Sequence, residues 1–144
     1  PLYVPGAPLR DGVSRMDLDA DADAGPLVIR GVVTDTNGAP LANAVVECWH
    51  ANSNGFYSHF DPTGAQTDFN LRGAVKTGPN GGYEFRTLMP VGYGCPPQGA
   101  TQQLLDTLGR HGNRPAHVHF FVSADQHRKL TTPFNIEGDP LIWD

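Results

Sequence analysis

The segment Asn37-Gly38-Ala39-Pro40 stands between two runs rich in β-branched residues, 27–36 (LVIRGVVTDT) and 41–50 (LANAVVECWH). Asn-Gly in such a setting is a strong hairpin signal, because both residues accept the left-handed backbone that a tight turn between twisted strands demands. The chain is therefore predicted to run strand, turn, strand here. The same punctuation recurs at Asn80-Gly81-Gly82, ahead of an apolar/polar alternation over 83–88 (YEFRTL). A third clear strand covers 116–124 (AHVHFFVSA). Only one stretch reads as a helix: Thr101 is placed to cap a turn that sets Leu104, Leu105 and Leu108 on one face, and Gly109 to end it. With 17 glycines and 13 prolines in 144 residues, turns punctuate the whole chain. Short strands, many turns and one minor helix predict an all-β fold, a β-sandwich with long loops, forming a single domain over 1–144.

A domain of this length buries a real core without disulfide staples. The net charge of −5 and the absence of a basic cluster argue against nucleic acid or an anionic membrane surface as partner and leave a small molecule. Cys48 and Cys95 form neither a C-x-x-C pair nor a secreted-type framework, so a reducing, cytoplasmic compartment is expected. No run of residues reaches transmembrane length. The first residue is Pro1 rather than Met, as in a processed product or a piece of a longer protein.

His117 and His119 alternate within the apolar strand run. Side chains two apart on a strand share a face, with Cα atoms about 7 Å apart, so one metal ion fits between them. Beside Val118, Phe120 and Phe121, two imidazoles are costly to bury unless something engages their nitrogens. That something is either a metal or ordinary hydrogen bonds. Tyr57 (Asn54-Gly55-Phe56-Tyr57-Ser58-His59) and Tyr93 (Pro90-Val91-Gly92-Tyr93-Gly94-Cys95-Pro96-Pro97) lie in loops whose glycines and prolines leave the ring as the main space-filling group. Asp17, Asp19, Asp21 and Asp23 alternate as well, but a calcium loop begun at Asp17 or Asp19 lacks the required Gly and Glu. A solvated acidic loop is expected there instead.

The segments 49–52 (WHAN), 55–60 (GFYSHF), 92–97 (GYGCPP), 101–105 (TQQLL) and 109–120 (GRHGNRPAHVHF) together resemble, in order and spacing, the catalytic domain of the intradiol ring-cleaving dioxygenases. The resemblance covers essentially the whole chain. It implies a mononuclear non-haem Fe(III) bound by Tyr57, Tyr93, His117 and His119 with a hydroxide in the fifth position. Two phenolates and a hydroxide balance the charge of Fe(III), and hard anionic oxygen suits ferric iron. The implied reaction is cleavage of catechol or a substituted catechol by O₂ between the two hydroxylated carbons, giving cis,cis-muconate from catechol itself. Tyr93 is the ligand expected to leave when the catechol dianion chelates the metal. Arg114 is expected to stabilise negative charge that develops on the substrate, and Pro1 and Leu2 to line the aromatic pocket.

Two departures from the family pattern stand out. After Leu130-Thr131-Thr132, where the family usually carries a Gln whose amide supports the arginine, this chain has Pro133, which lacks both a side-chain donor and an N–H; activity is expected to survive with a less well positioned Arg114. The family's N-terminal helical domain and further C-terminal strands are also outside the sequence. The helical-domain dimer is therefore not expected, and a monomer or a different homo-oligomer built on exposed β surface is.

Two other readings compete. A cupin-like oxygenase also begins from His-x-His, but Ser123 and Ala124 stand where it needs a carboxylate. A transthyretin-like binding module accounts for 31–46 (GVVTDTNGAPLANAVV) and leaves Tyr57, Tyr93, Arg114, His117 and His119 without a reason.

Overall fold

The computed structural model describes residues 2–143; Pro1, expected at the pocket wall, lies outside them. Among the described residues the strands are, in chain order, β1 (Leu9–Asp11), β2 (Val13–Arg15), β3 (Pro26–Val32), β4 (Val45–Trp49), β5 (Arg72–Lys76), β6 (Gly82–Leu88), β7 (Tyr93–Gly94), β8 (Asn113–Arg114), β9 (His117–Ser123) and β10 (Leu130–Asn135). One α-helix, α1 (Ala100–Thr107), lies between β7 and β8, and a 3-10 turn covers Pro140–Trp143. A five-stranded sheet in the order β1-β5-β4-β9-β10 packs against a three-stranded sheet in the order β2-β6-β3, while β7 and β8 form a separate ribbon. The expected sandwich is thus present.

The alternation of β4 and β9 decides which face does what. Val46, Cys48, Val118 and Phe120 point between the sheets and meet Met16, Val75 and Phe85 in one buried cluster. Sealing a side chain such as Phe85 or Phe120 from water contributes about 1.5–3 kcal/mol each. The alternate residues therefore project from the opposite face of the large sheet. In register across it run Arg72, Trp49, His119 and Pro133, on β5, β4, β9 and β10 respectively. This outer face is roofed by loops rather than by a second sheet, which gives the polar residues there somewhere to act.

Three expectations need correction in detail. The runs flanking Asn37-Gly38 do not pair as a hairpin: β3 belongs to the small sheet and β4 to the large one. The turn closes on a single bridge between Thr34 and Pro40. The Asp35 carboxylate accepts from the N–H groups of Asn37 (2.8 Å) and Ala39 (2.9 Å), and the chain then crosses between layers. Turn chemistry specified a reversal, but burial of Val46 and Cys48 between the sheets selected the layer. The cap of α1 is Gly99, with no side-chain cap, because Thr101 already lies inside the helix. Gly109 does end it: at φ +66° it follows Leu108, and bonds from Gly109 N to Asp106 O and from Arg110 N to Leu105 O make the Schellman closure. Leu104 and Leu108 remain exposed. The acidic loop, finally, is a set of staples. Asp21 accepts from Ser53 N (3.0 Å) and Ser53 Oγ (2.6 Å), and Asp19 from Thr67 N (2.8 Å) and Thr67 Oγ1 (2.6 Å), fastening the segment to the roof of the outer face.

Candidate metal centre

His117 and His119 reach the site because β9 presents alternate residues to its outer face, and both are buried there. Tyr57 comes from the long loop after β4 and is also buried. Tyr93 comes from β7, whose pairing with β8 places it opposite Arg114. Gly92 makes that approach feasible: a Cβ there would stand 2.5 Å from Arg114 O and 3.3 Å from Ala116 N. No larger residue fits between the two segments.

Four donor atoms from these distant positions meet in one cluster. Tyr57 Oη lies 3.0 Å from Tyr93 Oη, Tyr93 Oη lies 3.2 Å from His117 Nε2, and His117 Nε2 lies 3.1 Å from His119 Nε2. Donors bonded to one ion at roughly 2.0–2.1 Å stand roughly 2.9–3.4 Å apart when they subtend angles between 90° and 110°. The cluster has that spacing. His117 Nδ1 lies 2.7 Å from Pro115 O; assigning the proton to Nδ1 lets it donate to this carbonyl and turns the Nε2 lone pair toward the cluster. Two imidazole nitrogens facing each other at 3.1 Å, with at most one proton to share, are poorly satisfied by each other and well suited to a shared cation.

Burial favours the neutral forms of His117, His119 and Tyr57 when no metal is bound. It pushes the His119 imidazole down to about 3, with His117 adding to the effect, and lowers His117 in the same direction. It raises the Tyr57 phenol well above its ordinary value, as does the hydrogen bond to Tyr93. Neutral imidazole is the ligating form. A buried phenol such as Tyr57 ionises only against a strong positive charge, and a set of two phenol oxygens and two imidazoles fits a hard, highly charged cation such as Fe(III). Among the described residues no three His, Cys, Asp or Glu side chains gather as a metal site, which separates the cluster from ordinary zinc or calcium cages.

Arg114 Nη1 donates to Tyr93 Oη at 3.2 Å, and its guanidinium carbon sits 5.8 Å from the Tyr93 ring centroid. A cleft of about 580 Å³ between α1 and the segment around Asn113 opens against Arg114 and Pro115 without touching the four donors. Leu2 is partly exposed and precedes Tyr3, whose ring packs on Trp49 (5.3 Å) and Phe121 (4.8 Å). Pro133 lies in register with His119 on the edge strand β10, where a missing N–H is tolerated.

Sequence reasoning overlooked two supports of the site. Trp49 stacks on His119, and Arg72 lies buried beside Tyr57. Strand parity was the available signal: both share the outer face with His119 once the register is known. His50 is buried with Nδ1 2.7 Å from Ala51 O and Nε2 2.7 Å from Thr87 Oγ1, a structural role. Cys95, two residues from Tyr93, is a free, partly buried thiol, and Cys48 is a free buried one.

Comparison with known proteins agrees with the geometry. A family model described as dioxygenase (Dioxygenase_C) matches residues 1–144. The chain is 80% identical to catechol 1,2-dioxygenase 1 of Acinetobacter lwoffii over 144 residues, which is all of this chain and 46% of that protein. It is 60% identical to catechol 1,2-dioxygenase of Acinetobacter baylyi, again over the whole chain and 46% of the relative. The solved structure of catechol 1,2-dioxygenase from Acinetobacter sp. ADP1, inhibited by bound mercury, superposes with a TM-score of 0.93 at 60% identity, covering 100% of this chain and 47% of that one. The chain thus spans about half the length of the relatives it matches. With a family match over every residue and a shared fold, the chain belongs to the intradiol ring-cleaving dioxygenases.

Proposed function

We propose that residues 1–144 form the catalytic domain of a catechol 1,2-dioxygenase, an oxidoreductase of aromatic-compound degradation. It adds both atoms of O₂ to catechol and opens the ring between the hydroxylated carbons to give cis,cis-muconate. The observation that carries this reading is the convergence of Tyr57, Tyr93, His117 and His119 on one point at 3.0–3.2 Å spacings. Relatives named for catechol, with 49–80% identity, favour the unsubstituted ring over chlorocatechols or hydroxyquinol, for which relatives stand at 39–40%. A cytoplasmic location is part of the proposal; among the described residues no helix is long and apolar enough to cross a membrane.

Tyr57, Tyr93, His117 and His119 would hold a non-haem Fe(III), which when bound supplies the Lewis acidity that lets catechol bind as a dianion and react with O₂. The residues divide the remaining work. Tyr57 and the two histidines are buried and fixed, so they stay in place through the cycle. Tyr93 is only half-buried, and its oxygen is shared with Tyr57, His117 and Arg114. It is the group placed to give way, and its Oη would accept one of the two catechol protons. A hydroxide held with the metal would take the other. Once Tyr93 withdraws, Arg114 Nη1 loses that acceptor and donates instead to the substrate oxygen, holding negative charge as it develops. The Tyr3 ring packs on Trp49, and Leu2 beside it is proposed, with Pro1, to line the aromatic pocket.

The test is oxygen uptake by the iron-loaded protein with catechol, with products separated by chromatography. One O₂ consumed per cis,cis-muconate formed is expected; no uptake, or a product cut outside the diol, contradicts the reading. Light scattering over a range of concentrations decides between a monomer and a homo-oligomer built on exposed β surface.

A further inference from the structure

Arg72 is 3% exposed, yet among the described residues no carboxylate lies within ion-pair distance of it. Its Nε donates to Ser58 Oγ (2.9 Å) and its Nη2 to Ser58 O (3.0 Å), while Nη1 is buried with no partner. An isolated buried cation is costly, and replacement by an apolar residue of similar volume is often neutral or stabilising. Packing alone gives no reason for an arginine here. A guanidinium keeps its charge in proteins at neutral pH.

The guanidinium lies beside the ring of Tyr57. Its central carbon lies 5.8 Å from the centroid of Tyr57, and both of its hydrogen-bond acceptors belong to Ser58, the next residue in the chain. Ser58 Oγ in turn donates to Asn70 O at 2.8 Å. The contact is bracketed by three non-glycine residues in the left-handed region, His59 (φ +68°), Phe69 (φ +61°) and Leu71 (φ +56°), each a strained conformation that persists only where the surroundings enforce it. Arg114 offers the contrast. It stands 5.8 Å from the Tyr93 ring centroid but also reaches the Tyr93 oxygen, whereas the hydrogen bonds of Arg72 among the described residues go to the hydroxyl and backbone carbonyl of Ser58 and not to the Tyr57 oxygen. One arginine is free to change partners and the other is fixed.

Building on the iron reading above, we infer that Arg72 is a positioning residue for the Tyr57 ligand: its guanidinium, fastened to Ser58, holds the ring in place and tempers the electron donation of its oxygen to the metal. A positive charge near the ring lowers the energy of the ring electrons. Removing it therefore eases electron transfer from phenolate to iron and moves the visible charge-transfer band to longer wavelength.

The experiment compares iron-loaded wild type, Arg72→Met, Arg72→Lys and Ser58→Ala by visible absorption, by the rate at which a chelator strips the iron, and by circular dichroism. Arg72→Met is expected to keep the β-sheet spectrum, shift the band to longer wavelength and lose iron about ten-fold faster. Arg72→Lys restores part of both changes. Ser58→Ala keeps the charge and loosens its anchor, so iron loss accelerates with a smaller band shift. A folded Arg72→Met with wild-type band position and wild-type iron loss overturns the inference; if that variant does not fold, unchanged behaviour of Arg72→Lys and Ser58→Ala overturns it equally. A wild type that binds no iron and shows no band overturns the iron reading itself and this inference with it, a result distinct from a coloured wild type with unaltered variants.

Discussion

The imidazole of His119 lies flat on the indole of Trp49, ring centroids 5.0 Å apart and planes 14° from parallel. The pair follows from register, since Trp49 on β4 is directly opposite His119 on β9, and Trp49 is itself held edge-on by Tyr3 and Phe121. The indole thus fixes the plane in which His119 presents Nε2. Outer residues that orient a metal-binding histidine typically account for about 10–100-fold in metal affinity. Trp49→Leu is expected to weaken iron binding by about ten-fold or more while the fold persists, as measured by chelator competition alongside circular dichroism.

Gly92 sets the other side of the centre. A methyl group at this position meets Arg114 O at 2.5 Å, and backbone on both segments must move to admit it. Gly92→Ala is expected to destabilise the fold by about 1–3 kcal/mol and to displace Tyr93 from the cluster. Urea unfolding reads the first effect, and loss of intensity in the tyrosinate-to-iron band reads the second.

His50 gives the apo protein a pH dependence. Complete burial holds its pKa down to about 4, so between that value and about 6.5, where an exposed histidine titrates, the unfolded chain binds a proton that the folded chain refuses. Stability therefore falls as pH drops through this window, by about 1.4 kcal/mol per unit from this residue, and levels off below about 4 as the folded state takes up the proton. His119 and His117 are shifted the same way and steepen the slope. His50→Gln is expected to flatten the urea-derived stability between pH 6 and pH 4.5 by about that increment; an unchanged slope contradicts the assignment.

Pro133 faces the site in register with His119 and offers no donor to Arg114, whose guanidinium donates to Tyr93 Oη. Pro133→Gln is expected to raise turnover and lower the oxygen concentration needed for half-maximal rate. Unchanged values for both would show that Arg114 needs no such support.

How far the residues alone disclosed this arrangement depends on which interaction sets each feature. The sandwich and the strands at 27–36, 83–88 and 116–124 were legible because period-two alternation is a local property, as was the Gly109 stop. The hairpin at Asn37-Gly38 was misjudged because turn chemistry reports a reversal and not the sheet each arm enters. His117 and His119 announced themselves by parity, whereas Tyr57 and Tyr93 were ambiguous as isolated aromatics and acquired meaning only through resemblance to a family. Trp49 and Arg72 stayed hidden because cross-strand register, a long-range property, is what brings them to His119 and Tyr57.

On the reading proposed above, the two tyrosines and two histidines form a ferric centre that chelates catechol. A visible absorption spectrum of the iron-loaded protein, taken before and after anaerobic addition of catechol, tests it most directly. A broad tyrosinate-to-iron(III) band that moves to longer wavelength on adding catechol is the predicted result. Protein that binds iron stoichiometrically yet shows no such band, or a band that catechol leaves unmoved, would contradict it.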